Sequence, residues 1–253
     1  MKSLRGKNVL VTGGGSGIGL AIVKELASLE ANIIIHYYRS GDTAKAVSSE
    51  LRSRGLDSQA VQADLSTEAG VRSLADFVTS RWDHLDVLVN NSGDLIARQS
   101  LEQLEMGYYR KVMAVNLDSN VMVTKALLGL LKKAGSSSVV NLSSLAGRKG
   151  GHGGSAFYAT TKGAILTLTR ALSTELAPYG IRVNAVAPGL ILGSAFHAVH
   201  SSDESIKATI AQIPLKKAGN CEDVARAVAF FAGEYDGFIT GATLDINGGI
   251  YMA

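Results

Sequence analysis

The run Asn8-Val9-Leu10-Val11-Thr12-Gly13-Gly14-Gly15-Ser16-Gly17-Ile18-Gly19 decides how the rest of the chain is read. Val9-Leu10-Val11 is short and wholly apolar, the pattern of a strand buried on both faces. Glycines break it. From Gly17 onward the period changes, with Ile18, Ala21, Ile22 and Leu26 at helical spacing. A strand that passes through a glycine loop into a helix presents free N–H groups and the positive end of the helix dipole to one spot, a place for a pyrophosphate. Glycine lets the backbone turn sharply there and approach the ligand closely. No Gly-Lys-Ser/Thr follows, so a P-loop triphosphatase is disfavoured. The spacing of Gly13, Gly17 and Gly19 also differs from G-x-G-x-x-G.

Downstream the same alternation repeats. Apolar runs at Ile33-Ile34-Ile35, Ala60-Val61, Asp86-Val87-Leu88-Val89, Ser138-Val139-Val140-Asn141-Leu142, Arg182-Val183-Asn184-Ala185-Val186 and Ala242-Thr243-Leu244-Asp245 read as six further strands. Helical patterns over 43–54, 68–82, 102–132 and 157–177 separate several of them. Apolar strands alternating with helices predict an α/β fold: a Rossmann-type doubly wound parallel sheet of about seven strands with helices on both faces. We see no linker, repeat or charge block, so the chain reads as one domain over 1–253. In such sheets ligands bind outside the carboxyl ends of the strands. The unusual residues fall there, at Thr12-Gly13, Asn90-Asn91-Ser92-Gly93, Ser143-Ser144 and Pro188-Gly189.

Composition agrees. Of 253 residues 28 are glycine and three are proline, with 46% hydrophobic and 19% charged. Disordered chains are rich in both glycine and proline and poor in apolar residues, so this chain is ordered. The net charge is +3 with no dense Lys/Arg tract, which gives no support to nucleic-acid binding. No apolar run approaches the roughly 18 residues of a membrane span, no h-region follows Met1, and the lone Cys221 has no disulfide partner. A cytoplasmic protein is expected. His36 is read as the end of the second strand and His84 as a surface turn. His152, His197 and His200 lie in loops at spacings that suit no metal.

The residues resemble the short-chain dehydrogenase/reductases, and the resemblance spans essentially the whole chain. Thr12 to Gly19 is similar to the family's T-G-x-x-x-G-I-G loop, Asn90-Asn91-Ser92-Gly93 to N-N-A-G with Ser92 for alanine, and Tyr158-Ala159-Thr160-Thr161-Lys162 to Y-x-x-x-K. Val115-Asn116-Leu117, Asn141-Leu142-Ser143-Ser144, Pro188-Gly189 and Asn247-Gly248-Gly249 complete the match, closest to the 3-oxoacyl-reductase-like and polyol-dehydrogenase branches. The resemblance implies an oxidoreductase that moves a hydride between a nicotinamide and a secondary alcohol or ketone of a small substrate. It implies cofactor contacts from Gly13, Ser16, Gly17, Ile18, Gly19, Asp64, Leu65, Asn91, Ser92, Gly93, Tyr158, Lys162, Pro188 and Gly189. Gly193 stands where the family has a threonine, so Ser194 is expected to take over its contact with the nicotinamide.

The chemistry needs a proton donor on the carbonyl oxygen. Tyrosine titrates near 10, and a nearby cation favours tyrosinate and lowers that value. Lys162 follows Tyr158 by four residues, so on a helix the two share a face. Ser144 is placed to hydrogen-bond the substrate oxygen as charge develops on it. It precedes Tyr158 by one residue more than is usual in relatives, because the 147–154 loop is longer; Ser143 is the alternative. By the resemblance, Tyr158 is the general acid/base, Lys162 also holds the nicotinamide ribose, and Asn116 supports a proton-relay water.

An acid after strand two would bind the ribose 2′-hydroxyl and select NAD. The strand ends instead in His36-Tyr37-Tyr38-Arg39-Ser40, and Tyr38, Arg39 and Ser40 point to NADP, with NAD the alternative. Residues 189–214 resemble a substrate lid whose polarity favours a small hydroxylated or acidic substrate over a long acyl chain. The long helices resemble those that build homotetramers. Two other functions compete, a nucleotide-binding regulator without turnover and a lyase or epimerase on the same fold. The regulator would be marked by loss of the serine, tyrosine or lysine, and all three are present.

Overall fold

The computed structural model describes residues 3–193, 202–233 and 237–253. Seven strands, β1 (Asn8–Val11), β2 (Asn32–Tyr37), β3 (Ser58–Gln62), β4 (Val87–Asn90), β5 (Ser137–Leu142), β6 (Ile181–Pro188) and β9 (Thr243–Ile246), form one sheet. Its order is β3-β2-β1-β4-β5-β6-β9, and every pair is parallel. Two short strands, β7 (Ile191–Leu192) and β8 (Gly219–Asn220), pair separately. The order reverses between β1 and β4, which opens a crevice at their carboxyl ends.

Strand residues alternate between two cores because successive side chains leave opposite faces. Val9, Val11, Ile33, Ile35, Val87 and Val89 pack on α1 (Gly17–Ser28), α2 (Gly41–Ser53) and the late helix Cys221–Ala232. Leu10, Ile34, Leu88, Val139 and Val183 pack on the other face, against α3 (Glu68–Arg81) and α5 (Ser119–Lys133). This is why the runs read as continuously apolar rather than alternating.

The expected helix over 102–132 starts later, at α4 (Met106–Met113), because residues 100–104 are spent on turns closed by Gln103 N–H to Ser100 and Leu104 N–H to Leu101. A π-helical segment, Ala114–Asp118, joins α4 to α5. The stretch 147–154, expected to be loop, begins inside a short helix, α6 (Leu145–Lys149), before α7 (Ala156–Leu176). Among the described residues two further helices escaped the periodicity reading. One is α8 (Asp203–Gln212), which buries none of its residues. The other is α9 (Cys221–Ala232), whose Asn220/Asp223 capping box was a legible start signal.

Candidate active site

The crevice between β1 and β4 is stitched by backbone and amide bonds. Thr12 Oγ1 accepts the N–H groups of Asn91 and Ser92 at 2.9 and 3.0 Å, and Asn91 Nδ2 donates to the carbonyls of Thr12 and Gly13 at 2.9 and 3.1 Å. Glycine is needed along the loop, most plainly at its two ends. A Cβ on Gly13, whose φ is +63°, would stand 2.9 Å from Asn91 Nδ2, and one on Gly19 would stand 2.1 Å from the Gly13 carbonyl oxygen. Helix α1 begins at Ser16 with no side-chain cap, so its first-turn N–H groups, from Gly17, Ile18 and Gly19, face the crevice without an intrahelical partner. An anion such as a dinucleotide pyrophosphate fits this end.

His36 does more than end β2. Its Nδ1 accepts the Gly13 N–H at 3.1 Å and its Nε2 lies 3.0 Å from the Ala63 carbonyl, which assigns the neutral Nε2–H tautomer. Burial pushes its pKa down to about 4. The ring thereby ties the phosphate loop to the end of β3. Beyond it Asp64 Oδ1 accepts the Ser66 N–H and hydroxyl at 3.0 and 2.6 Å, and Leu65 is buried. Tyr38 is half exposed, with the Arg39 guanidinium 5.3 Å from its ring centroid. Ser40 starts α2 without using its side chain as a cap, and a Cβ on Gly15 would stand 2.8 Å from the Ser40 carbonyl oxygen. The Gly15 turn of the loop thus lies against Ser40.

The chemical groups sit at the ends of β4 and β5. Tyr158 and Lys162 lie on the first turns of α7, with Lys162 Nζ 5.7 Å from the Tyr158 ring centroid and donating to the Leu142 carbonyl at 2.8 Å. The Ser144 hydroxyl is hydrogen-bonded to the Tyr158 hydroxyl and also accepts the Ala146 N–H at 3.1 Å. Ser143 is buried and donates to the Lys162 carbonyl at 2.7 Å. The geometry therefore separates the two serines: Ser144 meets the tyrosine, and Ser143 pins the backbone of α7. The stretch between Ser144 and Tyr158 turns through α6 and through positive φ at Gly150 and Gly151, +89° and +76°.

The electrostatics correct one expectation. Burial dominates Tyr158 and pushes its pKa up to about 12; the Asp94 carboxylate adds to the rise, while the Ser144 hydrogen bond works against it. Burial also brings Lys162 down to about 8. Desolvation outweighs the Ser144 hydrogen bond on the tyrosine, and the Lys162 ammonium is itself buried and bonded to the Leu142 carbonyl.

Asn116 lies in the π segment and is fully buried. Its Nδ2 donates to the carbonyls of Asp94 and Val112 at 2.7 and 3.0 Å, and its Oδ1 accepts the Asp94 N–H at 3.0 Å. Both amide hydrogens are used, so the side chain acts by holding the Gly93–Asp94 turn. That turn lies against the lysine: a Cβ on Gly93 would stand 3.0 Å from Lys162 Nζ. At the far side Gly189 donates to the Ile246 carbonyl at 2.9 Å, and a Cβ there would stand 2.9 Å from Asn247 Cβ. Pro188 ends β6 beside it. Ser194, Phe196, His197 and His200 lie outside the described residues.

Beneath the site a buried amide network went unread in the sequence. Asn90 Nδ2 bonds Thr124 and Asn141, and Asn141 also receives Asn120 and donates to Thr169. Its signal was an asparagine at the end of one apolar strand, Asn90, and one residue before the end of the next, Asn141. Among the described residues no group of three His, Cys, Asp or Glu side chains is placed to hold a metal, and no helix is long and apolar enough to cross a membrane.

Comparison with known proteins gives a consistent picture. Residues 13–251 match the family described as enoyl-(acyl carrier protein) reductase. The chain is 38% identical over 248 residues to the 3-oxoacyl-[acyl-carrier-protein] reductase FabG of Staphylococcus aureus, covering 97% of this chain and 98% of that protein. It superposes with a TM-score of 0.90 and 34% identity on a gluconate 5-dehydrogenase of Beutenbergia cavernae, described as putative, NAD(P)-dependent and with bound NADP at low occupancy, covering 98% of each chain. It also superposes, with a TM-score of 0.89 and 32% identity over 99% of each chain, on the NADH-dependent reductase A1-R′ responsible for alginate metabolism.

Proposed function

The chain belongs to the short-chain dehydrogenase/reductase family, on its 3-oxoacyl-reductase-like branch, and from that premise we propose that it is an NADP-dependent oxidoreductase acting on the secondary alcohol or ketone of a small substrate. The observation that carries this reading is the contact of Ser144 with Tyr158 on the face of α7 that also carries Lys162. The uncapped start of α1 and the Gly13–Gly19 turn would hold the pyrophosphate, Asp64 and Leu65 the adenine, and Asn91, Ser92, Gly93, Lys162, Pro188 and Gly189 the nicotinamide half. When bound, the cofactor supplies or accepts the hydride. Tyr158 gives its phenolic proton to the carbonyl oxygen in reduction and takes it back in oxidation. Ser144 donates to the same oxygen as charge grows there. Lys162 holds the nicotinamide ribose and, as a cation, favours tyrosinate. Asn116 acts as a positioning residue through the Gly93–Asp94 turn.

Arg39 and Ser40 support a 2′-phosphate, because they follow β2 where no carboxylate ends the strand, and the Ser40 side chain is not used to cap α2. Higher kcat/KM with NADPH than with NADH is expected; a clear NADH preference overturns that part. We read the chain as one dehydrogenase domain over 1–253, with 189–214 as the lid, acting in the cytoplasm as a homotetramer. Light scattering that gives a monomer rejects the assembly. A panel of hydroxy-ketones, keto acids and 3-oxoacyl esters, followed by NADPH absorbance at 340 nm, tests the activity. Tight NADPH binding without turnover of any member would favour the silent regulator instead.

A further inference from the structure

Helix α6 carries Ser144 at its N-cap and has five residues, too few to stand as a helix without tertiary support. Two contacts supply that support. On one side Gly147 meets the backbone of α7, where a Cβ would stand 2.6 Å from the Lys162 carbonyl carbon. On the other side the Arg148 guanidinium grips the Asp245 carboxylate with two hydrogen bonds, Nε to Oδ1 at 3.1 Å and Nη2 to Oδ2 at 3.0 Å. Both side chains are largely buried, 14% and 17% exposed. Paired, planar bonds of this kind fix orientation as well as distance. Asp245 sits on β9 opposite Ala187 of β6, one residue before Pro188-Gly189, and Arg148 also faces the Tyr251 ring at 5.9 Å. Asn247 Nδ2 holds the Tyr251 carbonyl at 2.9 Å.

We propose that Arg148 and Asp245 are a positioning pair that holds α6 so that the Ser144 hydroxyl meets Tyr158, and that the segment 245–251 is thereby part of the catalytic scaffold. The inference rests on the reading of Ser144 and Tyr158 given above. Neither residue touches substrate; each acts through the serine. If the pair is cut, α6 is left to its contact with α7 and the serine drifts. A displacement on the order of 1 Å costs about 100-fold in rate at such a site.

The test uses the full-length protein, NADPH and the ketone turned over fastest in the panel above. Arg148→Met and Asp245→Asn should each lower kcat by about 10-fold to 100-fold, while NADPH affinity, read by its fluorescence on binding, stays within about twofold. The high-pH limb of kcat should move to higher pH in both variants, as in Ser144→Ala, because the serine's hydrogen bond favours tyrosinate. In a Ser144→Ala background Arg148→Met should cost nothing further. An equal further loss in that background, or an unmoved pH limb, overturns the proposal. Should Arg148→Met fold poorly, the milder Asp245→Asn carries the same two readouts. If Ser144→Ala itself leaves kcat intact, the reading of the serine fails, and the proposal falls with it for a different and recognisable reason.

Discussion

Two strand-to-helix crossings in this molecule are dense in glycine, residues 13–19 after β1 and 147–154 after β5, and glycine serves a different purpose in each. In the first, contact is the constraint. Cβ atoms on Gly13, Gly14, Gly15 and Gly19 would stand 2.9, 2.9, 2.8 and 2.1 Å from their nearest neighbours, so the loop is packed against itself, β2 and the end of β4. In the second, only parts are pressed. Gly147 meets α7, whereas Gly150 and Gly153 have nothing within 4 Å. On the proposed reading the first crossing binds with backbone and must hold one shape. On the same reading the second carries its chemistry on side chains at its two ends, Ser144 and Tyr158, and what lies between serves to hold α6.

The sharpest way to separate the two regions is to damage one and read the other. Tyr158→Phe removes the proposed proton donor and leaves the first crossing whole. We expect kcat to fall about 100-fold to 10,000-fold with NADPH affinity retained; residual activity within tenfold of the parent would remove Tyr158 from its role. Gly19→Ala does the reverse. Its methyl meets a backbone carbonyl that cannot swing aside, so a loss of about 3 kcal/mol or more in stability or cofactor binding is expected. Normal NADPH affinity and an unchanged Tm in that variant would show the loop to be softer than its contacts imply.

The same contrast explains what was legible in the sequence. The first crossing is written as spacing: an apolar strand, glycines at fixed offsets and a helical period, each a local signal. The parallel sheet and its switch point followed from repeats of that pattern. The second crossing depends on contacts far apart in the chain, which no local pattern encodes. Nothing local pairs Arg148 with β9, and the preference for Ser144 over Ser143 stays open until the Lys162 carbonyl is found to hold Ser143. The Tyr158–Lys162 spacing was visible, but the balance between burial and charge on the tyrosine was not, because desolvation is a property of the packed site.

His36 offers a titration of the first region alone. The imidazole is 2% exposed and neutral in the fold, with a pKa depressed from 6.5 to about 4 by burial. Below its ordinary pKa the unfolded chain binds a proton that the folded one refuses. The stability this neutral ring allows is therefore complete above about pH 6.5 and is lost as pH falls toward 4, by about 3 kcal/mol in all. Urea unfolding of the parent between pH 7 and 4 should show that slope beyond whatever His36→Gln shows. Parallel slopes would mean that the ring's bonds to Gly13 and Ala63 do not hold it neutral.

The smallest effects belong inside the second crossing, where neighbours differ. Gly154 has φ +74°, and a Cβ there would stand 2.9 Å from Arg98 Cβ, beside the Gln99 N–H that donates to its carbonyl at 3.0 Å. Gly154→Ala should cost about 1–3 kcal/mol and disturb the 94–99 segment that leads from Asp94. Gly153, one residue earlier, has open space and no positive φ. Gly153→Ala should change stability by no more than about 0.5 kcal/mol, with a slight gain if the unfolded chain loses freedom, and leave kcat unchanged. If the two alanines behave alike, the second crossing is as tightly made as the first. If they differ as stated, its glycines are needed one at a time, at the points where the chain turns left-handed or meets another segment, and the residues between them are spacer.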